Sequence, residues 1–406
     1  MDVSKWWSSV SLWKVIAGML LLGCCTTPEI RAFQQHLTAQ PSTGSAVQIA
    51  PSHVAQQWTV EDGLPVNTIN DLLQTDDGYL WLATFDGLVR FDGVQFTVYQ
   101  SGAYSGLPSS RILKLFADKN DLWLHIESKE LVHMQAGQFR VVDLPDVYDV
   151  FRTADDRLWV STQQGLYQQV GRDSFERVAP ELQALVSTVH QTPDGALWMG
   201  TNTNGVYRHL PDGTLTYITE ADGLADTNII ALESAPDGST LIGSWVGLQR
   251  WEDGQLMPVT YQGEALTSPI FQMESTSNGN VWLRTETHVY RYQDGQVTQV
   301  ATQSERPTFQ PQGSLVEHSP TGAVWINASH TLWYQGANVF SAPAEISQVM
   351  YDHEQSLWVG TQGEGLFQVR PSQVDMYGIP EGLASSNVYS ILQRYNQSIW
   401  LGTLGG

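Results

Sequence analysis

Residues 78–91 read GYLWLATFDGLVRF. Apolar and small or polar residues alternate from Tyr79 to Thr84, an Asp-Gly pair follows at Asp86 and Gly87, and the alternation resumes at Leu88. A period of two describes a strand with one face buried. An Asp-Gly pair suits a tight hairpin, because glycine accepts positive φ and aspartate bonds the local backbone. The flanks extend the pattern: residues 67–74 form an apolar strand closed by a turn at 75–78, and residues 94–99 follow a second Asp-Gly pair at 92–93. This one stretch therefore encodes four short antiparallel strands.

The phrase returns along the chain. Aligning it places Trp81, Trp123, Trp159, Trp198, Trp282, Trp325, Trp358 and Trp400 in one slot, with Leu241 in that slot of TLIGSWVGLQRW at residues 240–251. Spacings run from 33 (Trp325 to Trp358) to 43 residues (Trp198 to Leu241). Four strands repeated with a period of about 40 residues predict an all-β fold, a β-propeller of four-stranded blades. A helical solenoid would need apolar residues at i, i+3, i+4 and i+7, which these stretches lack. The Trp is expected to fill the wedge between neighbouring blades. Small residues after it, as in Gly200-Thr201, Gly360-Thr361 and Gly402-Thr403, are expected to let adjacent sheets approach.

EDGLPVNTINDLLQTDDGYLWLATFDGLVRFDG, residues 61–93, resembles the bacterial two-component regulator propeller repeat, with its D-G-L-P-x-N-x-I opening, D-x-x-G-x-L-W-x-G-T middle and G-L-x-R ending. Echoes of the opening stand at 220–230, 380–392 and 104–112. Copies two (LWLHIESKEL) and seven (VWINASHTL) depart from it, lacking the Gly-Thr pair. The resemblance implies the N-terminal sensor region of a hybrid histidine kinase or diguanylate cyclase. In that plan two exported propellers and an immunoglobulin-like domain precede one membrane span and the cytoplasmic output. No kinase or cyclase motif stands in this sequence, so no enzyme is expected within the chain.

Nine copies leave the ring ambiguous. The favoured expectation is that about seven blades close a first ring and copies eight and nine begin a second, in a chain that stops before its output domain. The alternative closes eight copies, with the ninth as an overlapping clasp. The first is preferred because a bare apolar edge such as NVYSIL, residues 387–392, invites aggregation.

Formal net charge is −22, from 20 Lys plus Arg against 42 Asp plus Glu, which excludes a nucleic-acid surface. Residues 1–25 read as a signal peptide or lipoprotein signal, 26–54 as a tether and 55–406 as propeller repeats. LLGC at 21–24 resembles a lipobox and makes Cys24 a lipidation candidate. The expected location is the periplasm or cell envelope. Membrane contact is expected only through the N-terminal signal or lipid and a further C-terminal span. Both cysteines, Cys24 and Cys25, lie in the signal, so no disulfide or cysteine site is expected beyond it.

No pair among the ten histidines has a metal-ligand spacing, so neither metal nor cofactor is expected and each histidine reads as a surface or blade-edge residue. The paired acids Asp76-Asp77 and Asp155-Asp156 lack calcium-loop spacing and read as turns. Arg90, Arg208, Arg250 and Arg291 recur and are expected to pair from blade to blade. Function is expected on the axis and the ring's faces. The position after the repeat's Thr or Ser varies most, giving Phe85, Gln163, Asn202, Trp245, Glu286 and Gln362 as candidate contacts for a small polar molecule or glycan. A ligand-binding sensor that dimerises through its full-length protein leads. A lipid-anchored protein-binding scaffold and a propeller lyase or hydrolase remain open alternatives.

Overall fold

The computed structural model describes residues 47–404 apart from 51, 154–155, 181, 183, 277, 303–313, 319–323, 335, 373–378, 380–381 and 395–397. The signal, Cys24 and residues 26–46 lie outside the described residues. Eight antiparallel sheets of the repeat follow one another, and each takes the strands of its own copy in sequence order from the axis outward. Blade one comprises Ile69–Gln74, Leu80–Thr84, Gly87–Phe91 and Phe96–Tyr99. The innermost strands of blades two to eight are Ile112–Asp118, Val147–Arg152, Val186–Gln191, Ile229–Ser234, Gln272–Ser275, Val316–His318 and Ile346–Tyr351.

The expectation of about seven blades is corrected by the closure. Blade eight has three strands from its own copy, Ile346–Tyr351, Leu357–Thr361 and Leu366–Pro371; its fourth is His53–Trp58, antiparallel to the third with Trp58 opposite Leu366. Blade one sits directly beside it. Gln348 Nε2 donates to Asp71 Oδ1 at 3.0 Å, and Gly365 N to Asn67 O at 2.9 Å. The Trp358 ring lies 5.2 Å from Trp58 and 5.9 Å from Phe91. The eighth copy therefore completes this ring instead of starting another, and an N-terminal strand is the clasp. Gln48–Ile49 adds a fifth strand to blade seven, so Gln48, Ile49, His53 and Val54 of the stretch read as tether already pair into the ring. Closure of this kind gives blade eight its fourth strand by joining segments far apart in the sequence.

The recurring Trp does what its spacing implies. Seven of the eight are at most 5% exposed, each at a seam between blades. Trp81 packs with Leu115, Leu122 and Phe139 of blade two, and Trp358 with Ile69, Leu80 and Phe91 of blade one. The turn supplies the indole's partner: Thr75 Oγ1 accepts from Trp81 Nε1 at 3.0 Å, as Thr153 does from Trp159. Trp400 is the exception. It belongs to a two-stranded hairpin, Val388–Gln393 with Ile399–Thr403, and is 60% exposed. Its strand register matches the blades, but among the described residues no neighbouring sheet covers it. Replacing Trp358 with Ala should therefore cost about 3–5 kcal/mol in urea unfolding, and Trp400→Ala no more than about 0.5 kcal/mol. Equal costs would refute seam packing as the Trp's role.

The small slot two residues after the Trp also has its reason. A Cβ on Gly200 would lie 2.6 Å from Ile229 Cγ2 of the next blade, and one on Gly360 2.9 Å from Ile69 Cγ2. Blades two, six and seven place His125, Arg284 and Asn327 in this slot, all buried. Arg284 Nη2 donates to Asn327 O at 2.6 Å, and Asn327 Nδ2 to Ile346 O at 3.3 Å. Arg284 and Asn327 thus bridge to the next blade's main chain, as Ser161 Oγ of blade three does to Val186 O at 2.7 Å, whereas Gly200 and Gly360 admit the next blade's side chain. Burial pulls Arg284 down to about 10, still a cation at neutral pH.

The D-G-L opening is a capped turn. Asp62 Oδ2 accepts from Thr59 N at 2.8 Å, Gly63 takes φ 106°, and Leu64 is buried behind it. Thr219, Asp222, Gly223 and Leu224 repeat the device.

Candidate functional site

The hairpins joining second and third strands carry the six residues singled out above. Each hairpin is locked by its Thr or Ser: Thr84 Oγ1 donates to Gly87 O at 2.7 Å and accepts from Asp86 N at 3.1 Å. Phe85, Gln163, Asn202, Trp245, Glu286 and Gln362 therefore stand one per blade around one face, in blades one, three, four, five, six and eight. They do not converge on one another. Phe85 lies beneath the Arg111 guanidinium at 4.3 Å, and Arg111 is held by both oxygens of Glu127. Glu127 occupies the equivalent place in copy two, where the missing Gly-Thr pair hid it. Trp245, 40% exposed, meets Phe271 of the next blade edge-on at 5.6 Å. Gln362 donates from Nε2 to Ile69 O at 3.2 Å, tying blade eight to blade one. Gln163 and Asn202 are exposed and Glu286 half-buried.

Other expected residues settle locally. Asp77 accepts from Thr75 Oγ1 at 2.6 Å as a turn residue, and Asp155 lies outside the described residues. Where blade-to-blade pairing of the recurrent arginines was expected, Arg208 and Arg250 form ion pairs with acids of their own blades, and Arg250 also interacts with Tyr292 of the next blade. Arg208 reaches Asp194 at 3.1 Å over the Trp198 ring, Arg250 reaches Asp237 and Glu252, and Arg90 covers Tyr79. Strand pairing sets Arg208 opposite Trp198 and Arg250 opposite Leu241, which aims them along their own sheet. Two histidines are core, not edge. His125 fills the small slot of blade two. His133 stacks on Trp123 at 4.2 Å and binds Asp173 Oδ1 at 2.5 Å.

The axial channel holds what sequence reasoning missed. Residues facing the Trp across the first strand pair are Leu73, Phe116, Phe151, His190, Glu233, Glu274, Glu317 and Met350 in ring order. Blades eight, one, two and three contribute the apolar members; blades four to seven contribute a histidine and three carboxylates. The polar members cap the next blade's innermost strand, an edge whose N–H groups would otherwise be unpaired. Glu274 Oε2 accepts from Leu315 N at 2.8 Å, Glu317 Oε1 from Tyr351 N at 3.2 Å and Glu233 Oε2 from Ser275 N at 3.3 Å. Burial, with Glu317 and Glu233 nearby, pushes Glu274 up to about 7.

The tier opposite the small slot is charged on the other side. Asp71 Oδ2 accepts from Leu115 N at 2.8 Å, and its Oδ1 from Leu72 N at 2.8 Å and from Gln348 Nε2. One carboxylate thus joins blades eight, one and two. Lys114 Nζ meets Asp149 Oδ1 at 2.7 Å. Asp71, Lys114 and Gln348 line a cavity of about 300 Å³ with Phe116, Phe151 and Arg152. Its walls offer hydrogen-bonding heads beside aromatic surface, the mixture that orients a small polar organic molecule. Among the described residues, no group of three or more His, Cys, Asp or Glu is placed to hold a metal ion.

Burial pushes Asp71 up to about 6 from 3.8, against its hydrogen bonds and Lys114. The folded state therefore holds this proton more tightly than the unfolded chain. Stability from it is complete below pH 3.8 and lost as pH rises through 6. Asp71→Asn abolishes the titration. Its stability relative to the parent should improve by about 2 kcal/mol from pH 4 to pH 7, read by urea unfolding at each pH. A pH-independent difference would show that Asp71 is not buried at this junction.

Residues 63–86 match the family model described as two component regulator propeller. A search of curated proteins finds no match. Among solved structures, the computationally designed Ika8 protein is similar at 14% identity and a TM-score of 0.51, over 75% of this chain and 96% of that one. A structure described as the extracellular domain of a hybrid two component system from B. thetaiotaomicron shares 18% identity at a TM-score of 0.45, with 86% of this chain and 58% of that chain covered. Virginiamycin B lyase from Staphylococcus aureus shares 10% at 0.49, over 80% of this chain and all of that one. At 14% identity, the likeness to the designed Ika8 protein shows the fold alone. The stretch from Gly63 to Asp86 is thus a two component regulator propeller repeat, set as the start of the first of eight blades.

Proposed function

We propose that this ring is the exported ligand-binding sensor region of a transmembrane signalling protein, and that a small polar molecule or glycan enters through the face bearing Trp245 to reach the axial cavity. The observation that carries the reading is that cavity, where Lys114, Asp71 and Gln348 stand beside Phe116 and Phe151. The repeat type supports the signalling context. Because innermost strands of blades eight, one, two, three and four line the cavity, a ligand there would favour one relative arrangement of these blades and shift the population toward it. Output, by kinase or cyclase, would belong to a further domain. Residues 1–25 would direct export, with Cys24 as the lipid attachment point if the signal is a lipoprotein signal.

Titration calorimetry of the full chain against a panel of oligosaccharides and small organic acids tests this. Saturable binding is expected, weakened at least tenfold, about 1.4 kcal/mol, by Lys114→Met and by Trp245→Ala. Binding indifferent to both changes would remove the cavity from the proposal, and retention only on a partner protein would favour a scaffold.

A further inference from the structure

At the seam of blades four and five, His190 Nε2 lies 2.7 Å from Ser234 Oγ, and His190 Nδ1 lies 3.6 Å from Glu233 Oε1. Glu233 is itself positioned by main-chain N–H groups, of Ser234 at 3.0 Å and Ser275 at 3.3 Å. Burial lowers the pKa of His190 below its usual 6.5, and Glu233 offsets only part of this, so the ring is neutral at neutral pH. One nitrogen is then free to accept a proton.

The ring's other seams show what mere blade joining requires. Glu317 accepts from Tyr351 N, Glu274 from Leu315 N, and Gln74 Oε1 from His353 N at 2.7 Å. Each is a side chain capping a main-chain edge. Hydroxyls cross other seams, Ser161 Oγ donating to Val186 O and Tyr351 Oη accepting from Trp325 Nε1, both at 2.7 Å, but neither of these meets an imidazole. At the fourth seam the same tier instead aims an imidazole at a serine. A hydroxyl becomes a nucleophile when an adjacent base takes its proton and a third group orients that base.

We propose that Ser234 and His190 hydrolyse small acyl esters, with Glu233 as the positioning residue. The site lies away from the Trp245 face: Ile229 pairs with Ser244 at one end of the first strand pair of blade five, and Ser234 with Thr240 at the other. His190 and Glu233 are 17% and 13% exposed, open to a small reagent yet largely shielded from water. Ser234 Oγ bonds to the acyl carbon as its proton passes to His190 Nε2. The bond to the leaving alkoxide breaks and the alkoxide takes that proton, leaving an acyl-serine. Water, deprotonated by His190, then adds to the same carbon; the serine oxygen leaves with the proton and the carboxylic acid departs. The activity stands apart from ligand sensing and does not depend on it.

The full chain is treated with a fluorophosphonate probe and mapped by peptide mass, and its hydrolysis of p-nitrophenyl acetate is followed from pH 5 to 8. One adduct is expected, on Ser234, absent in Ser234→Ala and formed at least about tenfold more slowly in His190→Gln. Hydrolysis should rise with pH with a midpoint below 6.5, the usual value for histidine. Thermal unfolding of each variant confirms the fold. Should His190→Gln not fold, the pH midpoint of labelling in the parent chain tests the same base directly. Folded protein without an adduct, an adduct elsewhere, labelling unchanged in folded His190→Gln, or a midpoint at or above 6.5 would each overturn the proposal.

Discussion

A chain lacking residues 47–58 is expected to lose its cooperative thermal transition or to melt at least about 10 °C lower than the parent, with exposed apolar surface detectable by dye binding. The deletion removes the whole fourth strand of blade eight and the fifth of blade seven. Leu366 and Phe367, buried in the parent, would sit on an unpaired edge, and Trp358 and Phe91 would lose the ring of Trp58. Truncating a single buried Trp costs about 3–5 kcal/mol, already comparable with the 5–15 kcal/mol that separates most folded domains from unfolded chains. The backbone loss adds to it, because six register pairs from His53↔Pro371 to Trp58↔Leu366 disappear together. A synthetic peptide of residues 47–58, added in trans, should restore part of the melting temperature. A deletion variant that melts within a degree or two of the parent would contradict closure by the N-terminal strand.

The same strand explains where sequence reasoning stopped. Blade architecture was legible because most blades carry the same burden: a Trp to fill a seam, a small residue to admit the next sheet, and a glycine-bearing turn. Blade number was not. It depends on the pairing of HVAQQW at 53–58 with a strand more than three hundred residues later, and that segment lacks the phrase that identifies the copies. The candidate site divides similarly. Hairpin variation found an exposed aromatic at Trp245, but it equally selected Gln362, whose amide holds Ile69 O at the closing seam. Channel residues carried a signal of position: His190, Glu233, Glu274 and Glu317 each stand eight places before their copy's Trp slot. That offset acquires meaning only once the first strand is known to be innermost.

Gly365→Ala should destabilise the ring by roughly 4 kcal/mol in urea unfolding, while Gly363→Ala, two residues away in the same hairpin, should cost less than about 1 kcal/mol. Gly365 takes φ 82°, a left-handed conformation costing an L-residue roughly 1–2 kcal/mol by itself. An added Cβ would stand 2.1 Å from Trp58 O, whereas at Gly363 its nearest neighbour is Ala344 Cβ at 3.7 Å. A carbonyl in a paired strand cannot rotate away as a side-chain tip could. Relief requires moving the clasp, which strains Trp58↔Leu366 and the bond from Gly365 N to Asn67 O. The effect therefore reports on closure and not on glycine content: helical or turn propensity would penalise both substitutions alike. Similar costs at the two positions would mean that Trp58 does not lie against this hairpin, and the eight-bladed ring would have to close elsewhere.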